Sequence, residues 1–303
     1  METIKETVRS SKFSSYKTRL MNLRIFLLAF VSFSTVFAQK SDEFNDSNIT
    51  TRTNLALSKI QVIPINDSRT KRQYELYIKL PDGYSENNET NYPVLYFTDA
   101  MWHIEILSGS SEYLIENMIL VGISWKKDER AEISRYRDYT IIKSVNPKYQ
   151  SGGAQNHLTF IQNDVIKYVE ENYRTRPDNR TYFGYSLGGK FGAYILLTQP
   201  STFKNYILGS PETLLDDSFI YNYDFNSIPK IHDVETNVFI STGELEREDL
   251  IEQAKGLVAM INKHKHKNSS LKYEIIKSAD HGKAFPMAAV KSMYWLADFN
   301  KEN

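Results

Sequence analysis

The run Gly184-Tyr185-Ser186-Leu187-Gly188-Gly189 limits what this chain can become more than any other stretch. It lies between the apolar "RTYF" and the helical pattern "KFGAYILLTQP", which halts at Pro200. A strand that turns into a helix across one residue brings the two backbones very close, so the positions two before and two after must be small. Gly184 and Gly188 meet that need around Ser186. At such a corner the serine hydroxyl projects from the C-terminal edge of a sheet, and the Leu187 N–H points at the same spot. A plain glycine-rich connector would need the helical pattern and the glycine spacing to coincide by chance. Ser186 is therefore read as a nucleophile.

The chain around this corner alternates. "ALSKIQVIPI" and "KRQYELYIKL" show every-other-residue patterning and end in the turn-rich "PDGYSENNETNYP", which predicts an antiparallel pair opening a sheet. Residues 94–100 and 119–125 are continuous apolar runs, the pattern of strands buried on both faces. Residues 157–173 carry Leu158, Phe160, Ile161, Val165, Ile166 and Val169 at helical spacing. Further strands are expected at "FKNYILGS", "NVFISTG" and "KYEIIKS", with helices near residues 250–263 and 286–299. An antiparallel opening followed by β/α alternation predicts an α/β protein with a mostly parallel sheet and helices on both faces. With 41% hydrophobic residues and no repeat or low-complexity linker, one domain over residues 53–303 is expected.

A serine hydroxyl is a weak nucleophile until a base takes its proton, and the base needs a carboxylate to hold its tautomer. At a corner of this type the partners follow as acid, then histidine, each beyond a later strand. Of the six histidines, His281 in "IIKSADHGKAFP" follows a strand, precedes a helix and has Gly282 beside it. His264 and His266 alternate with lysines at a helix end, where solvation and the helix dipole account for them. His157 opens a helix, His232 precedes a strand without a partner pattern, and His103 suits a pocket or the surface equally. For the acid, a carboxylate three residues past the glycine closing "NVFISTG" selects Glu246, with Glu244 as the alternative. Glu248 and Asp249 suit the start of the next helix. The backbone N–H groups of Leu187 and of Ala100 or Met101 are the expected oxyanion donors.

Composition excludes several classes. Lys+Arg and Asp+Glu both number 37, so no basic excess points to nucleic acid. The absence of cysteine rules out disulfides, a thiol nucleophile and thiolate metal ligands. "MNLRIFLLAFVSFSTVFAQK" has a basic start, an apolar run too short for a typical membrane span, and the small residues Val36 and Ala38 before Gln39. Residues 1–39 are read as a signal peptide, with Met21 as a candidate true start, and residues 40–52 as a flexible lead-in. The expected product is periplasmic or secreted, without stable membrane insertion after cleavage. Six of the basic and two of the acidic residues lie in 1–39, which leaves a net charge of about −4.

With these residues in place, the chain resembles the esterase D-like branch of the α/β-hydrolases. "YPVLYFTDA" is similar to the branch's oxyanion strand, "ILVGISW" to its central strand, "RYRDYT" to its Arg/Asp/Thr segment, "GYSLGG" to its elbow and "ADHGKAFP" to its histidine loop. The resemblance implies an α/β-hydrolase fold, Ser186 and His281 as catalytic residues, Glu246 in a "GE-x-E" pattern, no metal or organic cofactor, and carboxylic-ester hydrolysis through an acyl-enzyme. Acyl esters of poly- or oligosaccharides lead among the expected substrates, with a siderophore trilactone as the alternative. An acyltransferase and a non-catalytic binding module are the rival classes. Trp102, Arg137 and Tyr185 are candidate substrate contacts, although Arg135 and Arg137 also suit a loop brace with Asp138. Phe219, Tyr221, Tyr223 and Phe225, within residues 212–228, stand where many members carry tryptophans. Lys190 departs from a usually apolar position.

Overall fold

The apolar runs form strands and the stretches between them form helices, in a computed structural model that describes residues 59–86, 89–146, 148, 150–211 and 231–300. The expected signal peptide, the lead-in and the segment 212–228 lie outside the described residues. In chain order the elements are β1 (Ile60–Asn66), β2 (Gln73–Lys79), β3 (Tyr92–Thr98), α1 (Ala100–Leu114), β4 (Ile119–Ile123) and α2 (Ala131–Tyr139). Next come α3 (Ala154–Phe160), a π-helical stretch (Ile161–Ile166) and α4 (Lys167–Asn172), which together occupy the expected helix. Then follow β5 (Thr175–Tyr185), α5 (Leu187–Thr198), β6 (Asn205–Gly209), β7 (Asn237–Gly243), α6 (Glu248–His264), β8 (Ser270–Ile276) and α7 (His281–Asn300).

Eight strands make one sheet in the order β1-β2-β4-β3-β5-β6-β7-β8. The β1–β2 and β2–β4 ladders are antiparallel and every ladder from β4 through β8 is parallel, the mixed arrangement expected. Side-chain alternation sends each strand's residues to two cores. Val94, Tyr96, Val121, Tyr182 and Leu208 pack on one face with Leu158 and Phe160 of α3, Phe191 of α5 and Leu257 of α6. Leu95, Phe97, Leu120, Phe183 and Phe239 pack on the other with Ile104 and Leu107 of α1 and Met293 and Leu296 of α7. A sheet buried on both sides explains why its strands read as unbroken apolar runs. The parallel ladders also fix where the site lies: β3, β5, β6, β7 and β8 all end at the same edge, so the loops that follow them converge there.

Candidate active site

Ser186 joins β5 to α5 with φ 57° and ψ −119°, a conformation that L-residues rarely adopt. Its N–H donates to the Gly209 carbonyl (2.8 Å) and its own carbonyl accepts from the Lys190 N–H (2.9 Å), so neighbouring structure holds the strained turn. The two glycines are required by close approach. A Cβ on Gly184 would lie 2.2 Å from the Gly188 carbonyl oxygen, and one on Gly188 would lie 2.5 Å from Thr98 Oγ1 at the end of β3. Gly184→Ala cannot be relieved by a side-chain rotation, because the obstacle is backbone; it is expected to cost about 3 kcal/mol, the upper end for overpacking, read as a lowered denaturant midpoint.

The acid and the histidine come from the next loops along the same edge. The imidazole Nδ1 of His281, at the start of α7, lies 3.0 Å from Glu246 Oε2. Glu246 Oε1 accepts from the Gly243 N–H (2.7 Å) and from the Ser210 hydroxyl (2.5 Å). The two loops are also joined by their backbones, since the Leu245 N–H donates to the Ala279 carbonyl (2.9 Å). The Glu246 side chain is 1% exposed and that of His281 is 40% exposed, so the pair is dry on the acid side and open on the imidazole side. Burial pushes the Glu246 carboxyl upward, but the hydrogen bonds from His281, Ser210 and the Gly243 amide outweigh it and hold its pKa below the usual range. An ionised Glu246 accepts from Nδ1–H and leaves Nε2 with its lone pair, the tautomer a general base requires. Glu244, the alternative acid, instead takes Lys277 Nζ (2.7 Å) and the Ser278 N–H (2.8 Å).

The loop after β3 turns at Asp99, which is left-handed (φ 59°, ψ 43°) and fully buried. The Trp102 and His103 N–H groups donate to the Asp99 carbonyl. Ala100 and Met101 supply the preceding first-turn amides, with the Ala100 side chain buried and that of Met101 exposed. Asp99 Oδ1 accepts from Arg135 Nε (2.8 Å) and from the Tyr139 hydroxyl (3.2 Å). The Arg135 guanidinium lies 4.9 Å from the Trp102 ring, and that half-exposed indole packs on Trp125 at 5.0 Å.

Two of the expected substrate contacts are corrected. Arg137 is 4% exposed and spends its guanidinium on Asp138 (2.8 Å from both Nε and Nη2), on Ser134 and on Glu129. It is the loop brace. Tyr185 is 6% exposed, and its hydroxyl is spent on the histidine loop, donating to the His281 carbonyl (2.5 Å). His103 and His157 are core residues. The first bonds the Thr98 carbonyl and stacks on Phe285, and the second is enclosed by Tyr74, Tyr139, Phe160 and Phe191. Lys190 is fully buried in α5. Ser210 is the polar contact that sequence reasoning missed; a lone serine after β6 belongs to no motif, and its only signal is its place one strand from the acid.

A mixed sheet with an elbow serine, a buried carboxylate and a histidine beyond successive strands is the arrangement of an α/β-hydrolase. The Esterase family model, described as "Putative esterase", matches residues 68–301, and the chain belongs to that family: it is a carboxylic ester hydrolase. It is 30% identical to ferri-bacillibactin esterase BesA of Bacillus subtilis (strain 168) over 223 residues, 65% of this chain and 76% of that protein. A shorter match, 42% identity over 69 residues, covers 22% of this chain and 23% of the siderophore enterobactin esterase of Emericella nidulans. Among solved structures, the BES protein of Bacillus cereus superposes with a TM-score of 0.70 at 23% identity, over 81% of this chain and 97% of that one.

Proposed function

We propose that this chain is an exported serine esterase that opens the ester bonds of a siderophore lactone with a Ser186-His281-Glu246 triad. The observation that carries the mechanism is the 3.0 Å contact between His281 Nδ1 and the buried Glu246, on the same sheet edge as the serine of the strained elbow. His281 Nε2 removes the Ser186 proton as Oγ attacks the ester carbonyl. The negative charge that develops on the carbonyl oxygen is met by the N–H of Leu187 and that of Ala100 or Met101. His281 returns the proton to the leaving alcohol, which frees one end of the opened lactone and leaves an acyl-enzyme. Water, activated by the same imidazole, attacks the acyl carbonyl and regenerates Ser186.

For the substrate, the relatives named for bacillibactin and enterobactin favour the lactone over the acyl-glycan that led the sequence-based expectation. The exposed Trp102 beside the Arg135 guanidinium suits a flat, electron-rich and anionic acyl group better than an acetyl group. Export rests on residues 1–39. The test is to express the full chain, recover it from periplasmic and extracellular fractions, and compare a ferric tricatecholate trilactone with feruloylated and acetylated oligosaccharides. The lactone is expected to show a kcat/KM at least about tenfold above either glycan. A preference for a glycan ester would overturn the substrate, and recovery only from the cytoplasm would overturn the export.

A further inference from the structure

Two hydroxyls that take no part in bond making close a ring of contacts behind the proposed triad. Tyr185 precedes Ser186 at the end of β5, with its ring 5.3 Å from the His281 imidazole and 5.2 Å from Phe285. Its hydroxyl donates to the His281 carbonyl at 2.5 Å. Ser210 stands just beyond β6 with φ 39°; its Oγ is 2.5 Å from Glu246 Oε1 and 3.0 Å from the Tyr185 hydroxyl. Glu246 Oε2 returns to His281 Nδ1. The circuit thus runs from the His281 main chain through Tyr185, Ser210 and Glu246 to the His281 side chain, with one member from each of four successive loops or strand ends.

The proton count decides which contacts are bonds. Two hydroxyls own two protons, and three contacts compete for them. The ionised carboxylate is the strongest acceptor and takes the Ser210 proton. Burial pushes the Tyr185 hydroxyl far above its ordinary pKa, so it remains a donor, and its proton goes to the close His281 carbonyl. The longer 3.0 Å contact is then the one without a proton.

We propose that Tyr185 and Ser210 are positioning residues: Tyr185 fastens the histidine's backbone to the strand carrying the nucleophile, and Ser210 fixes the carboxylate that orients the ring. This rests on the triad reading above. The placement of His281 relative to Ser186 is then tied to the ends of β5, β6 and β7 and not to the histidine loop alone.

The test uses the full chain and a short-chain aryl ester. Tyr185→Phe keeps the ring and removes one neutral hydrogen bond, and is expected to lower kcat about tenfold with KM within about twofold. Ser210→Ala and Ser210→Gly both remove a bond to a charged group and are expected to lower kcat alike, by about 10- to 100-fold. Alanine inherits the strain that serine already bears at φ 39° and glycine relieves it, so loss in Ser210→Ala alone would assign the Ser210 hydroxyl to holding its own strained backbone and overturn its part in fixing the carboxylate. The double variant Tyr185→Phe/Ser210→Ala should lose less than the product of the single losses, because both act through one circuit. Wild-type kcat in Tyr185→Phe and in both Ser210 variants, or a raised KM alone, would overturn the proposal; if Tyr185→Phe does not fold, Ser210→Gly carries the test. Activity unchanged in Ser186→Ala would instead sink the triad reading, a separate outcome.

Discussion

Ser186→Ala should lower kcat on a short-chain aryl ester by about 10⁴- to 10⁶-fold while leaving KM within a few-fold. The size follows from what is lost. On the proposed triad, loss of Oγ removes the acyl-enzyme and leaves His281 and Glu246 no nucleophile to activate, and the proposed oxyanion amides and the binding surface account for the residual rate. Alanine keeps the small volume that the elbow needs and inherits the same strained φ of 57°, so the fold is expected to persist with an unchanged thermal midpoint. Steady-state kinetics together with a melting curve check both parts. Full activity in the folded variant would show that another group performs the attack.

Glu246→Gln is the second large effect, expected at about 10³- to 10⁴-fold in kcat, against less than about threefold for Glu244→Gln. The substitution is nearly isosteric, so the packing around the buried side chain survives. Its chemistry does not. A carboxylate accepts from the Gly243 N–H, the Ser210 hydroxyl and His281 Nδ1–H together, whereas an amide has a single acceptor oxygen. With that oxygen facing Gly243 and Ser210, the amide NH₂ faces the imidazole and selects the tautomer whose proton sits on Nε2, the wrong nitrogen for a base. Glu244 is exposed on Lys277 and the Ser278 amide and has no such consequence. Equal losses in the two variants, measured with the same ester, would mean that the contact seen between Glu246 and His281 does not matter for turnover.

The parts of the fold that sequence makes visible are those in which chemistry and periodicity agree. The parallel strands are buried on both faces, so residues 94–98 and 119–123 stand out as apolar runs, and the antiparallel opening follows from its alternation. Helix α1 is hidden because Ser108, Gly109, Ser110 and Ser111 interrupt it with weak helix formers. Helix α2 is hidden for the opposite reason: its buried side includes Ser134, Arg137 and Asp138, so it has no apolar stripe to detect. The last helix was expected from Pro286, a residue that suits a helix start, yet it begins at His281, where the Ala284 N–H already bonds the Asp280 carbonyl. The same logic divides the site. Ser186, Glu246 and His281 each sit at a fixed place relative to a strand and a glycine, which a pattern can find. The engagement of Tyr185 and Arg137 depends on neighbours distant in sequence, and so does the contact that makes Ser210 matter.

Asp99 gives the start of α1 a mechanical character. One buried carboxylate both stands at the left-handed turn that precedes the Ala100 and Met101 amides and holds Arg135, whose guanidinium lies against Trp102. Pressing on the indole therefore means dragging a charged group away from an acid that no water reaches, a steep resistance over a fraction of an ångström. This wall behaves as a mould and not as a glove. On the proposed oxyanion role of Ala100 or Met101, an ester has to match this surface as it stands and gains nothing by pushing.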